Sequence, residues 1–221
     1  MLRHFEEELK ELKEKLLYMG SLVELMIYHS IKSLVDRKEE SIQEVYKHED
    51  EVNKIQIEID DKCLKLIALQ QPTAIDLRFI TSAMKINSDL ERMGDQAINI
   101  AQASINLLKE PPLKPLIDIP RMAEIVKKMV KDSLDAFVKK DADLAKSVLL
   151  KDDEVDNLKD QVFRELLTYM MSDSKNVTRA LDLILISRHL ERIGDHSTNI
   201  SEDVIFVVLG KDIRHHIQDI R

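Results

Sequence analysis

Apolar residues recur every three or four positions along almost the whole chain, as they do on one face of an α-helix. In the first 36 residues this face comprises Leu9, Leu12, Leu16, Met19, Val23, Met26, Ile27, Ile31, Leu34 and Val35. The pattern breaks at residues that stop helices, such as Pro72 and Gly210. It predicts helices over about 2–36, 41–69, 73–109, 120–140, 142–171 and 177–209, with Thr73 as an N-cap.

One string in the third predicted helix returns in the sixth. Residues 90–100 read LERMGDQAINI and residues 190–200 read LERIGDHSTNI, so seven of eleven positions are identical at a separation of 100 residues. The earlier helices of the two halves match at a separation of 103, as in Asp50-Glu51-Val52 and Asp153-Glu154-Val155. The chain is therefore an internal repeat of three helices followed by three.

This repeat determines the expected fold class. It predicts an all-α protein made of two pseudo-symmetric three-helix bundles, a spectrin-repeat-like arrangement with helices about 45 Å long. We place the first bundle at residues 1–110 and the second at 118–221. Pro111, Pro112 and Pro115 mark the connection between them.

Composition narrows the functional classes. Hydrophobic residues make up 44% of the chain, charged residues 33% and aromatic residues only 4%, which is typical of long helices. A formal net charge of −8 argues against a nucleic-acid partner. The single Cys63 excludes a disulfide framework and fits a reducing cytoplasm. No apolar signal region and no run of about 18 apolar residues is evident, so we expect a cytoplasmic protein with no membrane span of its own.

Each repeated motif places two carboxylates one helical turn apart: Glu91 and Asp95 in the first half, and Glu191 and Asp195 in the second. Like charges at this spacing destabilise a helix by a few tenths of a kcal/mol. The glycine between them, Gly94 in the first motif, adds about 1 kcal/mol relative to alanine. A bound cation would offset both costs, which makes the motif a candidate metal site.

The middle helix of each half carries a second acidic cluster. In the first half it comprises Glu49, Asp50 and Asn53, and in the second half Asp152, Asp153 and Asp156. If the middle and third helices run antiparallel, counting residues from the turn between them places these clusters level with the motif carboxylates, within about a turn. The sequence thus predicts one oxygen-rich metal site in each half.

Such donors suit hard cations such as Mg, Ca, Mn or oxidised Fe. Asn53 leaves the first site one carboxylate poorer than the second, where Asp156 stands, so we expect the first site to bind more weakly. The alternative is that the acids form a solvated surface and bind no metal. His189 and His196, beside the second motif, are interpreted as local packing or surface, and His215-His216 as exposed.

Several strings together resemble the PhoU family of phosphate-uptake regulators. They are Asp50-Glu51-Val52-Asn53, Gln71-Pro72-Thr73-Ala74-Ile75-Asp76-Leu77-Arg78, the two Glu-Arg-x-Gly-Asp motifs and the tail Gly210-Lys211-Asp212-Ile213-Arg214-His215. The resemblance implies multinuclear metal clusters, often iron, at the pairs Glu49/Asn53, Glu91/Asp95, Asp152/Asp156 and Glu191/Asp195, with Mg, Ca, Mn and Zn as alternatives. Asn53 departs from the acidic family pattern.

The resemblance also implies a function without catalysis. Members of the family report phosphate sufficiency from the ATPase subunit of a phosphate ABC transporter to a sensor histidine kinase, and so repress the phosphate regulon. A homodimer that reaches the membrane only through these partners is the corresponding expectation.

Two other readings of the residues stay open. One is a metal-free helical scaffold. The other is a ferritin-like di-iron carboxylate enzyme, a class that uses Glu-x-x-His pairs; no such pair occurs in the sequence, which argues against it.

Overall fold

The computed structural model describes residues 2–210, with side chains from residue 5 onward. Its helices are α1 (Leu2–Asp36), α2 (Glu40–Gln70), α3 (Ala74–Leu108), α4 (Asp118–Lys139), α5 (Ala142–Ser172) and α6 (Val177–Leu209). The all-α prediction is confirmed, and the predicted helix ends agree to within about two residues. The predicted tail string beyond Gly210, including His215-His216, lies outside the described residues.

Helix ends follow local chemistry. Thr73 occupies the N-cap position of α3 in an extended conformation, although its side chain makes no capping hydrogen bond. Asp141 caps α5, where its side chain accepts from the backbone N–H groups of Asp143 and Leu144. Gly210 ends α6 with a φ of 68°. A short 3₁₀ helix at Ser174–Asn176, which the periodicity does not predict, connects α5 to α6.

The helices pack as two triplets, α1–α2–α3 and α4–α5–α6. The triplets meet along two contacts, α3 against α6 and α1 against α4. Buried apolar residues from all six helices form one continuous core. Because that core runs through both triplets, the division into domains at 1–110 and 118–221 stays a prediction about the repeat.

The two halves share local details as well as topology. Arg37 and Lys140, which are 103 residues apart, end the first helix of each half with φ values of 56° and 55°. The glycines of the two motifs, Gly94 and Gly194, also have matching surroundings. Each lies against one methionine and one valine: Met26 and Val52 in the first half, Met129 and Val155 in the second. These four contact residues match at a separation of 103.

Candidate functional site

The structure brings the predicted acids of the second half together between α5 and α6. Asp152 shows this most clearly, because burial, together with the charges of Asp195, Asp156, Asp153 and Glu191, raises the pKa of its carboxyl to about 6. Burial also raises the pKa of Asp195, with further contributions from Glu191 and Asp156. The level arrangement of the two clusters is therefore confirmed in this half.

Lys159 lies within the same cluster. Its Nζ is 3.0 Å from Asp156 Oδ1 and 3.1 Å from Glu191 Oε1, so it bridges α5 to α6. The hydrogen bond to Asp156, followed by the one to Glu191, raises the pKa of the lysine against the effect of burial. An ammonium group thus occupies the position where a cation would contact both helices.

The first half forms the corresponding cluster between α2 and α3. Burial raises the pKa of Glu49, and the charges of Asp95, Asp50 and Glu91 raise it further. Asn53 lies on the same helix and is exposed. The four predicted carboxylates of this half therefore also come together, whereas Asn53 brings no charge.

Comparison of the two clusters bears on the predicted order of affinity, which stays a prediction. The residue that corresponds to Lys159 in the first half is Gln56, and the residue that corresponds to Asp156 is Asn53. The second cluster has five carboxylates and one lysine, whereas the first has four carboxylates and no lysine. Their net charges are equal, because the lysine offsets the additional carboxylate of the second cluster. The additional carboxylate therefore gives no reason to expect tighter binding by the second site. The predicted order of affinity rested on the number of acidic residues and did not include Lys159.

The chemistry of both clusters suits a hard cation. Their donors are oxygens, and burial together with the neighbouring carboxylates raises the pKa of Glu49 and of Asp152. Within residues 5–210, however, no group of three or more His, Cys, Asp or Glu side chains is already arranged to hold a metal ion. Binding would require these side chains to turn toward the ion, and metal occupancy stays a prediction.

The histidines beside the second motif lie at the contact between the two halves. His196 Nδ1 is 2.9 Å from Asp89 Oδ1, and His189 Nδ1 is 2.8 Å from Gln96 Oε1. Positions 89 and 189 correspond in the repeat, as do 96 and 196, so the pseudo-two-fold that relates the halves exchanges the two contacts. We call these two contacts the α3–α6 seam.

Both histidines were predicted to be local packing or surface residues and not ligands, and the word local was wrong, because each contacts the other half of the chain. The signal was present in the residues that stand at the corresponding positions of the other motif, Asp89 for His189 and Gln96 for His196. To predict which of these residues contact each other, one must know that α3 and α6 pack antiparallel between the two halves. His196 also links the two acidic sites: burial raises the pKa of Glu91 and of Asp195, and the His196 imidazole opposes the rise at both.

Across the described helices, none combines the length and apolar character that crossing a membrane requires.

Comparisons with known proteins cover nearly the whole chain. The family model described as the PhoU domain matches residues 16–104 and 119–204, one match in each half. The chain is 45% identical over 214 residues to the phosphate-specific transport system accessory protein PhoU homolog of Aquifex aeolicus, covering 96% of this chain and 97% of that protein. It is 41% identical to the protein of the same name from Pseudomonas aeruginosa, covering 96% and 88%.

Solved structures agree with this result. The crystal structure of PhoU from Pseudomonas aeruginosa superposes with a TM-score of 0.90 at 40% identity, over 94% of this chain and all of that one. The phosphate transport system regulatory protein PhoU from Streptococcus pneumoniae gives a TM-score of 0.85 at 29% identity, over 94% and 98%. The fold therefore agrees with these structures over almost its full length.

Proposed function

The chain belongs to the PhoU family, and on that premise we propose that it is a cytoplasmic regulator of phosphate uptake and phosphate signalling. It links the ATPase subunit of a phosphate ABC transporter to a sensor histidine kinase, and it represses the phosphate regulon when phosphate is plentiful. It acts by contact as a homodimer and catalyses no reaction of its own.

The observation that carries this proposal is the match over nearly the full length to proteins named as accessory to phosphate-specific transport. Relatives named in this way support a role in regulating phosphate transport. The kinase, the repression and the dimer extend that role, and the repression is tested below.

A regulator that works by contact needs a surface for its partners, and the outer face of the α5–α6 hairpin offers one. Large apolar side chains spaced four residues apart lie beside the turn, each between 42% and 81% exposed: Phe163, Leu167 and Met171 on α5, and Val177 and Leu181 on α6. We call these five residues the apolar strip. Contiguous exposed apolar surface is typical of protein interaction sites, and we infer that these five side chains form such a surface.

The proposal includes a cation at each acidic site. The oxygens that would hold it come from Glu49, Asp50, Asn53, Glu91 and Asp95 in the first half and from Asp152, Asp153, Asp156, Glu191 and Asp195 in the second. A bound cation supplies the positive charge that the crowded carboxylates lack. Because these residues lie on both helices of α2–α3 and of α5–α6, their role is to fix each helix pair beside the α3–α6 seam.

A phosphatase reporter under a phosphate-starvation promoter tests the regulatory role. In high phosphate, deletion of the gene should switch the reporter on, and the wild-type gene should switch it off again. The double variant Leu167→Glu/Leu181→Glu should fail to restore repression while keeping its fold and metal content. Leu64→Glu, at the position on α2 that corresponds to Leu167, is the matched control and should restore it. A reporter that stays repressed after deletion would refute the regulatory proposal.

A metal-free scaffold is the second candidate, and it is favoured by the lack of a ready ligand group in the described residues. Metal analysis of protein purified without chelator separates the two. Stoichiometric metal that is lost in Glu191→Gln/Asp195→Asn supports the cation sites. Protein that is metal-free and still represses the reporter supports the scaffold.

A further inference from the structure

Two histidines in the first half face each other between α1 and α2. The ring centroids of His29 and His48 are 6.0 Å apart, and the ring planes are inclined by 32°. The Nδ1 atom of each ring is buried and has no hydrogen-bond partner. An unsatisfied buried polar atom destabilises the folded state, so this pair carries a cost that a ligand would remove.

In the second half, the two positions that correspond to the histidine pair hold oppositely charged residues. The residues that correspond to His29 and His48 are Asp132 and Lys151, and they form an ion pair with Nζ 2.8 Å from Oδ2. The first two helices of each half thus bring this pair of positions into direct contact. In the first half, two imidazoles replace the opposite charges and cannot attract each other in the same way.

A carboxylate lies near this pair, although its Oε2 is now 3.7 Å from Lys47 Nζ and the three side chains are not yet arranged around one point. Glu44 lies one turn before His48 on α2, which places both side chains on one face of the helix. Burial lowers the pKa of His29, as does the neighbouring His48, whereas Glu44 opposes the change. His29 is therefore mainly neutral near pH 7, and the neutral imidazole is the form that binds metal ions.

We propose that His29 and His48, joined by Glu44, bind a transition-metal ion of the Zn²⁺ type. Two imidazole nitrogens at about 2.0–2.1 Å from one ion place their ring centroids roughly 5–6 Å apart, close to the separation seen here. Rotation about the side-chain bonds of Glu44 brings its oxygen in as the third ligand. Nitrogen ligands select borderline metals, so this site differs in kind from the oxygen-only acidic clusters.

The repeat itself supplies the test. In His29→Asp/His48→Lys the first half receives the ion pair of the second half, which should preserve the fold and remove the site. In Asp132→His/Ser147→Glu/Lys151→His the second half receives both histidines and the counterpart of Glu44, so it should gain a site. Zn²⁺ titrations are run with the full-length protein in excess Mg²⁺, so that the oxygen-rich clusters are occupied. Thermal unfolding confirms that each variant is folded.

We expect wild-type protein to bind one more equivalent of Zn²⁺ than His29→Asp/His48→Lys, and the reciprocal variant to bind one more than wild type. Cu²⁺ should show nitrogen hyperfine splitting in its EPR spectrum that weakens in His29→Asp/His48→Lys and not in the reciprocal variant. His29→Gln, a smaller change, should lower Zn²⁺ affinity at least tenfold. Equal stoichiometry and affinity in wild type, the grafted variant and His29→Gln would overturn the proposal.

Discussion

Replacement of Lys159 by glutamine tests whether this lysine compensates the negative charge of the second acidic site. The substitution copies Gln56 from the first half and removes an ammonium that lies about 3 Å from both Asp156 and Glu191. If the lysine substitutes for a cation, its loss should weaken the metal-free protein and strengthen cation binding. Because the two effects have opposite signs, they can be told apart in one variant.

The loss of stability can be bounded from the geometry. At an effective dielectric constant near 20, opposite charges 3 Å apart attract by about 5 kcal/mol before desolvation is subtracted. The Asp156 side chain is 52% exposed, so its contact contributes about 0.2–1 kcal/mol. Glu191 is 21% exposed, and its charged hydrogen bond contributes about 1–2 kcal/mol. We expect Lys159→Gln to lose about 1–3 kcal/mol of unfolding free energy without metal.

The gain in cation affinity has the same origin. A single positive charge about 5 Å from a divalent cation repels it by roughly 1–2 kcal/mol even at the dielectric constant of water, or about tenfold in affinity. Urea unfolding in EDTA and Mn²⁺ titration by calorimetry measure the two quantities. Lys146→Gln is the control, because Lys146 lies on the same helix and pairs with the highly exposed Asp143. An equal stability loss with and without Mn²⁺, together with unchanged affinity, would refute the argument.

Three further predictions concern individual side chains. The pKa of Asp152 is raised from 3.8 to about 6, so the folded state binds this proton more tightly than the unfolded state. The unfolding free energy of the metal-free protein therefore falls as pH rises between these two values. Asp152→Asn should remove that fall and stabilise metal-free protein at pH 7 by about 1–2 kcal/mol, measured by urea unfolding across pH 3.5–7. Gly94→Ala should stabilise by about 0.5–1 kcal/mol, because alanine favours the helix and its Cβ makes only an ordinary contact with Met26 Cε, at 3.5 Å. Gly20→Ala should destabilise by about 1–2 kcal/mol, because its Cβ would overlap Leu134 Cδ1. Thermal unfolding that ranks the two variants the other way would contradict this. A double-mutant cycle of Asp89→Asn and His196→Gln should give a coupling energy of about 0.5–2 kcal/mol, and additive losses would show that the seam contact is not formed.

The sequence predicted the helices well because their signals are local. The 3–4 spacing of apolar residues defines each buried face, and Pro72 and Gly210 interrupt the backbone where helices end. The 3₁₀ turn at Ser174–Asn176 was missed because its signal is the Asp173 side chain that accepts from Lys175 N–H, which has no periodicity.

Prediction of the site was limited by contacts between distant residues. Level placement of the acidic clusters followed from the repeat and the length of each hairpin, and the structure agrees. The α3–α6 seam could not be derived, because periodicity within one helix does not say which helix of the other half packs against it. Lys159 was missed for another reason: its effect depends on a contact with Glu191, 32 residues away.

Two differences between the halves involve pairs of contacting positions, and this has a physical reason. Asp156 with Lys159 stands where the first half has Asn53 with Gln56, and Asp132 with Lys151 stands where it has His29 with His48. In each pair of the second half the two charges are in direct contact, so a change at one position alone leaves a partly buried charge without its partner. A shared backbone holds both members of a pair at the same separation in both halves, so the pair can be exchanged as a unit. It follows that the local chemistry of each half belongs to pairs of contacting positions, and that single substitutions copied from one half to the other should cost more stability than the corresponding double substitutions.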